Sequence, residues 1–369
     1  MTESASEGTP QTRTFSFAGS FLKSVAALVI VLAGLRAVSD IVGPVFLALV
    51  ITITLHPIRV WLERRGLRGW LASIIMLIAA YLVLIALAFS LLLSVSQLAA
   101  LIPQYSDQLL DMVASVGKAL SDLGMKPSQV DAITSSFDPG RLLDAVMALL
   151  SGGVSLLANL FFLVTLLLFF AFDTDSTRRS LAAVGRERFP GPVDALANFA
   201  RGTRNYMGVS SSFGLIVAVV DGVVLYVLDV PGAFVWAVLA FVTNFIPNIG
   251  FVIGVIPPAL IALLDGGTGL MITVIVLYSV INFVIQSMIQ PRVVGDAVGL
   301  SATLTFLSLV FWTWLVGPVG ALLAVPFSLL TKALLVEADP HRHWALALIA
   351  GKPQRAGPAI SSTPSPSDG

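Results

Sequence analysis

The stretch TNFIPNIGFVIGVIPP, residues 243–258, decides how this chain folds. It lies inside a long apolar run, where a membrane helix should continue. Yet it carries Asn244 and Asn248, Pro247, Pro257 and Pro258, and Gly250 and Gly254. Proline removes a helix N–H and clashes with the preceding turn. In hydrocarbon, each backbone group left unpaired costs several kcal/mol. Broken backbone at that depth persists only where it is buried in protein or lines a wet cavity.

The composition sets the surroundings of this break. Apolar residues make up 57% of the chain and charged residues 11%, and the mean hydropathy is +0.93. A soluble domain is about 45–50% apolar and about 25% charged. Several apolar runs approach the roughly 20 residues of a membrane helix. The expected fold is an all-α polytopic membrane protein with about six to eight membrane segments. Net charge is zero, and there is no cysteine. A polyanion-binding protein is therefore disfavoured, and disulfide or thiol chemistry is excluded.

The final third, 208–336, reads as an internal repeat. A plain apolar segment (208–228) precedes one interrupted at IPNIG (234–264). A second plain segment (268–289) precedes one interrupted at VGPVG (302–336). Gly250, Gly254 and Pro257 align with Gly320, Ala324 and Pro326, allowing one gap. Interrupted segments in corresponding positions of two halves point to a transporter binding site. Two topologies compete: kinked helices that span, giving eight spans, or re-entrant hairpins. Each interrupted arm is short for a span of about 20 residues but suits a hairpin arm. Arg292 in QPRVVGDAVGLS (290–301) favours an inside position and hence hairpins.

Polar residues concentrate in the same third. Asn244 and Asn248 flank Pro247 at the break. Asn282, Gln286 and Gln290 recur every fourth position and so share a helix face. They offer a polar track to a solute; the competing role is bonding between helices. Gly317, Pro318 and Gly320 mark the second break. Asp221 is the one acid well inside a plain segment of this third, which makes it a candidate carrier of a proton or cation. The competing role is an ion pair with an arginine elsewhere. Lys332 is expected to snorkel.

The rest of the chain supports this core. Residues 1–20 read as a disordered cytoplasmic tail, without the pattern of a signal peptide. Residues 21–102 hold three spans, with a tight pair broken near Gly43 and Pro44. Arg36 and Asp40 are expected to share a helix face. The turn HPIRVWLERRGLRGW carries Arg59, Arg64, Arg65 and Arg68, which places it in the cytoplasm. Residues 103–152 form an acidic, amphipathic extracytoplasmic insert cut by Pro103, Pro127 and Pro139. A fourth span near 153–172 leads to an arginine-rich helical segment ending at 207, suited to anionic lipid heads rather than nucleic acid. Residues 337–369 form a second cytoplasmic tail with a disordered end. No phosphate-binding G-x-x-x-x-G-K-[ST] loop and no hydrolase signature occur, so neither ATP nor an enzyme activity is indicated. His341 and His343 lack a third ligand nearby. No cofactor and no metal are expected.

Three motifs carry a family resemblance: VPGAFVWAVLAFVTNFIPNIGFVIGVIPPALIALL, INFVIQSMIQPRVVGDAVGLS and FLSLVFWTWLVGPVGALLAVPFSLLTKALL. Together they closely resemble the autoinducer-2 exporter family of bacterial permeases, and the likeness extends more loosely over residues 25–336. The resemblance implies export of small polar solutes, autoinducer-2 among them, across the bacterial inner membrane. It implies a sodium or lithium/proton antiporter as the alternative activity; a third reading of the chain is a non-transporting membrane scaffold whose insert at 103–150 binds partners. It also implies homo-oligomers, expected as pentamers, whose protomers work by an elevator-like movement. The family's I-P-x-I-G falls on Ile246, Pro247, Ile249 and Gly250. Its Pro-Arg falls on Pro291 and Arg292, its G-P-x-G on Gly317, Pro318 and Gly320, and its later proline on Pro326.

The chain departs from the pattern in places. Gln290 stands where an acid is common, Asp296 and Ala297 replace basic residues, and His56-Pro57 replaces Asn-Pro. Cation coupling near Gln290 is weakened, which leaves open whether Asp221 takes that part. The expected partners are a small-molecule solute, membrane lipid and a coupling cation or proton.

Overall fold

The computed structural model describes residues 17–134, 162–170, 190–247, 249–290 and 301–339, with isolated positions between them. Among the described residues all regular structure is helical. Helix α1 (Phe17–Ala37) ends one residue before α2 (Ser39–Arg64). Arg36 and Asp40 thus belong to different helices and do not form the single face expected of them. Arg36 instead donates to the Trp314 carbonyl and places its guanidinium 4.9 Å from the centre of the Trp314 ring. Helix α3 (Gly69–Gln104) follows the basic turn. Pro103 sits within its last turn, and the break falls at Tyr105.

The insert begins with α4 (Ser106–Asp122) and α5 (Pro127–Thr134), which pack on each other. Pro127 opens α5, where a missing N–H costs nothing. A helical stretch, α6 (162–170), buries Leu163 and Leu167 against Ala48 of α2 and Ala80 of α3. Helix α7 (Pro190–Val227) then runs unbroken for 38 residues, through both the arginine-rich segment and the first plain segment. Its inner row is Phe213, Val217, Asp221 and Leu225, all buried. Leu215, Val219 and Val223 face outward and are exposed, as lipid-facing residues should be.

Both interrupted segments are re-entrant hairpins. Helix α8 (Ala233–Thr243) has 11 residues, about 16 Å at 1.5 Å each, half of a roughly 30 Å hydrocarbon core. The chain breaks over 244–249 and returns in α9 (Gly250–Asn282). Val235 and Trp236 near the start of α8 pack with Ala259, Ile261 and Ala262, so the two arms are antiparallel. At Gly267 the chain reverses again, with φ 75° and ψ −170°. The second half of α9 therefore runs beside the first, and it continues as a π-helical run, Phe283–Ile289.

The second hairpin consists of α10 (Ala302–Val316), a short α11 (Pro318–Leu322), and α12 (Ala324–Lys332) with a π-helical end, Ala333–Glu337. Ser301 caps α10 by accepting from the Leu304 N–H at 3.3 Å. Gly317, with φ 78°, makes the turn. Trp312 of the outgoing arm donates to Ser328 Oγ of the returning arm at 3.0 Å and stacks on Phe327 at 4.5 Å. Phe327 in turn stacks on Phe46 of α2 at 3.8 Å. Lys332 forms an ion pair with Glu337 at 3.1 Å rather than snorkelling alone.

The repeat is inverted. Leu225 packs with Val274, and Phe213 and Val217 pack with Ile285, so α7 and the second half of α9 are antiparallel. Each leads into its own hairpin, and the two hairpins enter from opposite ends. Their tips meet where Ile246 and Ile249 pack against Leu309, Ala321 and Ala324. Among the described residues four helical stretches are long and apolar enough to cross a membrane, including Gly250–Ile289. That last stretch contains the reversal at Gly267 and is two helices, one a hairpin arm and one a full span.

Candidate functional site

The break of the first hairpin keeps turn-type backbone bonds. The Ile246 N–H donates to Thr243 O at 2.9 Å, and the Gly250 N–H to Ile246 O at 3.0 Å. Helix α7 adds two further bonds. The Tyr206 hydroxyl donates to Phe245 O at 3.1 Å, and Asn244 Nδ2 donates to Ser210 O at 2.9 Å. Gly214 makes room for Asn244: a Cβ there would lie 2.7 Å from Asn244 Nδ2. Pro247 and Gly250 shape the tip.

From the tip a chain of amides runs into the core. Gln286 Nε2 donates to Asn244 Oδ1 at 3.1 Å and to Asn282 Oδ1 at 2.8 Å. Asn282 Nδ2 donates to Tyr278 O at 2.9 Å. These residues line a cavity bounded by Val217 and Asp221 of α7, Thr243 of α8, and Phe251 and Gly254 of α9. It holds about 10 Å³ of space for water centres, the room of about one molecule.

Asp221 faces this cavity and is 0% exposed. Among the described residues neither of its carboxylate oxygens makes a hydrogen bond of ordinary geometry, the Asn282 amide being near enough to act on it electrostatically, and the Tyr278 hydroxyl beside it has no partner. Among the described residues no arginine lines the cavity, and none of them makes the ion pair that competed for Asp221 there. A buried carboxylate without a partner is costly until a proton, a cation or water satisfies it.

The expected site residues thus divide. Asn244, Asn282 and Gln286 converge beside Asp221. Gln290 lies on the same helix, half-buried, but does not line the cavity. It sits one turn beyond Gln286, past the end of the cavity. Gly317, Pro318 and Gly320 sit at the second tip, where Val316 and Val319 pack on Gly43 of α2, away from the cavity. Asn248, Pro291 and Arg292 fall outside the described residues. Tyr278, Thr243, Ser210, Tyr206 and Gly214 join the site unannounced. Of these only Tyr278 had a sequence signal, since it extends the Asn282–Gln286 stripe backward by four.

A second, larger groove of about 410 Å³ lies between the arms of the second hairpin. Leu304, Leu307, Phe311 and Leu335 dominate its lining, with Lys332 at one side. Of its polar groups, Ser328 and Thr331 donate to backbone carbonyls, and Ser308 lies among the apolar side chains of the lining.

Comparison with known proteins agrees with this architecture. Residues 25–338 match the profile of the AI-2E family transporters. The AI-2 transport protein TqsA of Escherichia coli K12 is 31% identical over 318 residues, 84% of this chain and 90% of that protein. The presumed transport protein YhhT of the same strain is 30% identical over 336 residues, 90% of this chain and 95% of that one. A presumed transport protein of Haemophilus influenzae is 31% identical over 327 residues, covering 87% and 93%. Two inverted re-entrant hairpins, a polar break at membrane depth and these matches lead to one conclusion: the chain belongs to the AI-2E transporter family.

Proposed function

We propose that this membrane transporter exports a small, polar, hydroxylated solute, of the autoinducer-2 class named for TqsA. The amide chain Asn244–Gln286–Asn282 recognises it. One observation carries this reading: two asparagines and a glutamine, from two different helices, converge on one broken backbone at membrane depth. Amides bond neutral hydroxyl and carbonyl groups in either direction, which suits a polyol-like solute better than an ion. In this conformation the cavity has room for about one water, so passage requires the first hairpin's tip to draw away from α7.

In this reading Asp221 couples transport to an ion. Its unpartnered oxygens also favour the alternative activity, sodium or lithium/proton antiport. The arginine-rich turns favour a topology with both termini in the cytoplasm of a bacterial inner membrane. The exposed apolar faces of α1 and α7 suit contact with lipid and with further copies of the chain, a pentamer in the arrangement expected of the family.

The test is solute accumulation in cells with and without the protein, and with Asn244→Leu at equal expression. Lower internal solute with the wild type, reversed by the substitution, supports the reading. Intact export with Asn244→Leu would show that recognition lies elsewhere.

A further inference from the structure

We infer that Asp221 and Tyr278 form a proton-binding site built around one buried water, separate in role from the amides that recognise the solute. The inference rests on the reading of Asp221 as the coupling residue and names its ion and its partner.

Three buried polar atoms in this cavity lack a partner: both carboxylate oxygens of Asp221 and the Tyr278 hydroxyl. Asp221 is 0% exposed and Tyr278 1%. A buried water makes about three hydrogen bonds and needs about 10–15 Å³ of free space. The cavity holds about 10 Å³, so one water matches it in both size and bonding.

The neighbouring amide nitrogens each already donate at least once elsewhere, and the N–H that Asn244 and Asn282 have left is neutral and cannot cancel a carboxylate's charge. Asn244 Nδ2 goes to Ser210 O, Asn282 Nδ2 to Tyr278 O, and Gln286 Nε2 to two amide oxygens. Among the described residues, Tyr278 is the one titratable group besides Asp221 that lines the cavity; Thr243, Asn244, Asn282 and Gln286 do not titrate, and no cationic side chain is in the lining. Neutralisation must therefore arrive from outside. A proton needs no further volume: placed on an Asp221 oxygen, it donates to the water, which donates to the second oxygen and accepts from the Tyr278 O–H. A desolvated metal cation would take the space of the water and would leave the phenol hydrogen unmatched.

The site sits one helical turn from the solute amides, because Asn282 lies four residues beyond Tyr278. Uptake of the proton is thus sensed where the first hairpin's tip is held.

The test is infrared titration of the purified protein in detergent, without solute. A protonated-carboxyl band that titrates, disappears in Asp221→Asn and shifts in Tyr278→Phe supports the site. A water band that moves with ¹⁸O-water and is lost in Tyr278→Phe supports the bridging water. No such band at any pH at which the protein stays folded overturns the inference. So does removal of the band by sodium or lithium at constant pH, which would make the site a metal-cation site. Because no solute is present, failure here is distinct from failure of the export reading, which the accumulation assay reports.

Discussion

Gly250 and Gly320 hold the same place in the two hairpins. A Cβ on Gly250 would lie 1.9 Å from the Thr243 carbonyl oxygen, and one on Gly320 2.0 Å from that of Trp312. In each hairpin the returning arm starts against the backbone of the outgoing one, so only glycine fits. Gly250→Ala and Gly320→Ala should each destabilise the protein by at least the roughly 1–3 kcal/mol of core overpacking. Thermal unfolding in detergent checks this. Gly34→Ala, with nothing within 4 Å of the added carbon, should leave the transition where it is.

The tip of the first hairpin hangs on two bonds from α7. Removing the hydroxyl in Tyr206→Phe leaves the Phe245 carbonyl without its donor and should cost about 1 kcal/mol. It should also expose the tip. The chain has no cysteine, so Ile246→Cys gives a single labelling site. Faster thiol labelling at that position in the Tyr206→Phe background is the expected result.

Gly214 tests the site without removing any polar group. In Gly214→Ala the new carbon meets Asn244 Nδ2 at 2.7 Å and must displace it from Ser210. Solute flux should fall about tenfold or more, equivalent to about 1.4 kcal/mol of lost transition-state binding. The unfolding temperature should change little, because one side chain can move.

At the far end of α3, the Tyr105 hydroxyl donates to Asp265 Oδ1 at 2.8 Å, joining the start of the insert to the turn after the first hairpin. Burial and the Asp265 carboxylate push the Tyr105 phenol up to about 12. The folded protein therefore holds this proton more tightly than the unfolded chain, whose tyrosine titrates near about 10. The stabilisation is complete below pH 10 and is lost as pH rises from about 10 towards 12. Wild type and Tyr105→Phe should differ in unfolding temperature at neutral pH and converge at the alkaline end. A constant difference across that range would remove the bond from the account.

Much of this arrangement was legible in residue type and spacing. Pro247 and Gly250 within an apolar run, and Gly317 and Pro318 within another, announced both hairpins. The alignment of Gly250 with Gly320 marked the repeat before its inverted geometry was visible. The four-residue spacing of Asn282 and Gln286 placed them on one face, where the structure has them. Gln290 did not follow, because it lies one turn past the end of the cavity, and where a cavity ends along a helix is set by the helices packed against it. The second break carries the same glycines as the first but lines no polar cavity, since its valines pack on Gly43. That difference depends on what α2 brings to it. Ser210, Tyr206 and Gly214 act through approaches between helices distant in sequence, which periodicity along one helix does not encode.

The central claim is that the amides at the first hairpin's break recognise the transported solute. Counterflow of a labelled autoinducer-2-like furanone across proteoliposomes, with wild type beside Gln286→Met, tests it most directly. Methionine keeps the length and volume of glutamine and removes its hydrogen bonds. The account predicts wild-type counterflow and a fall of about tenfold or more in Gln286→Met, one hydrogen bond's worth of recognition. Equal counterflow by the two proteins at equal reconstitution would contradict it.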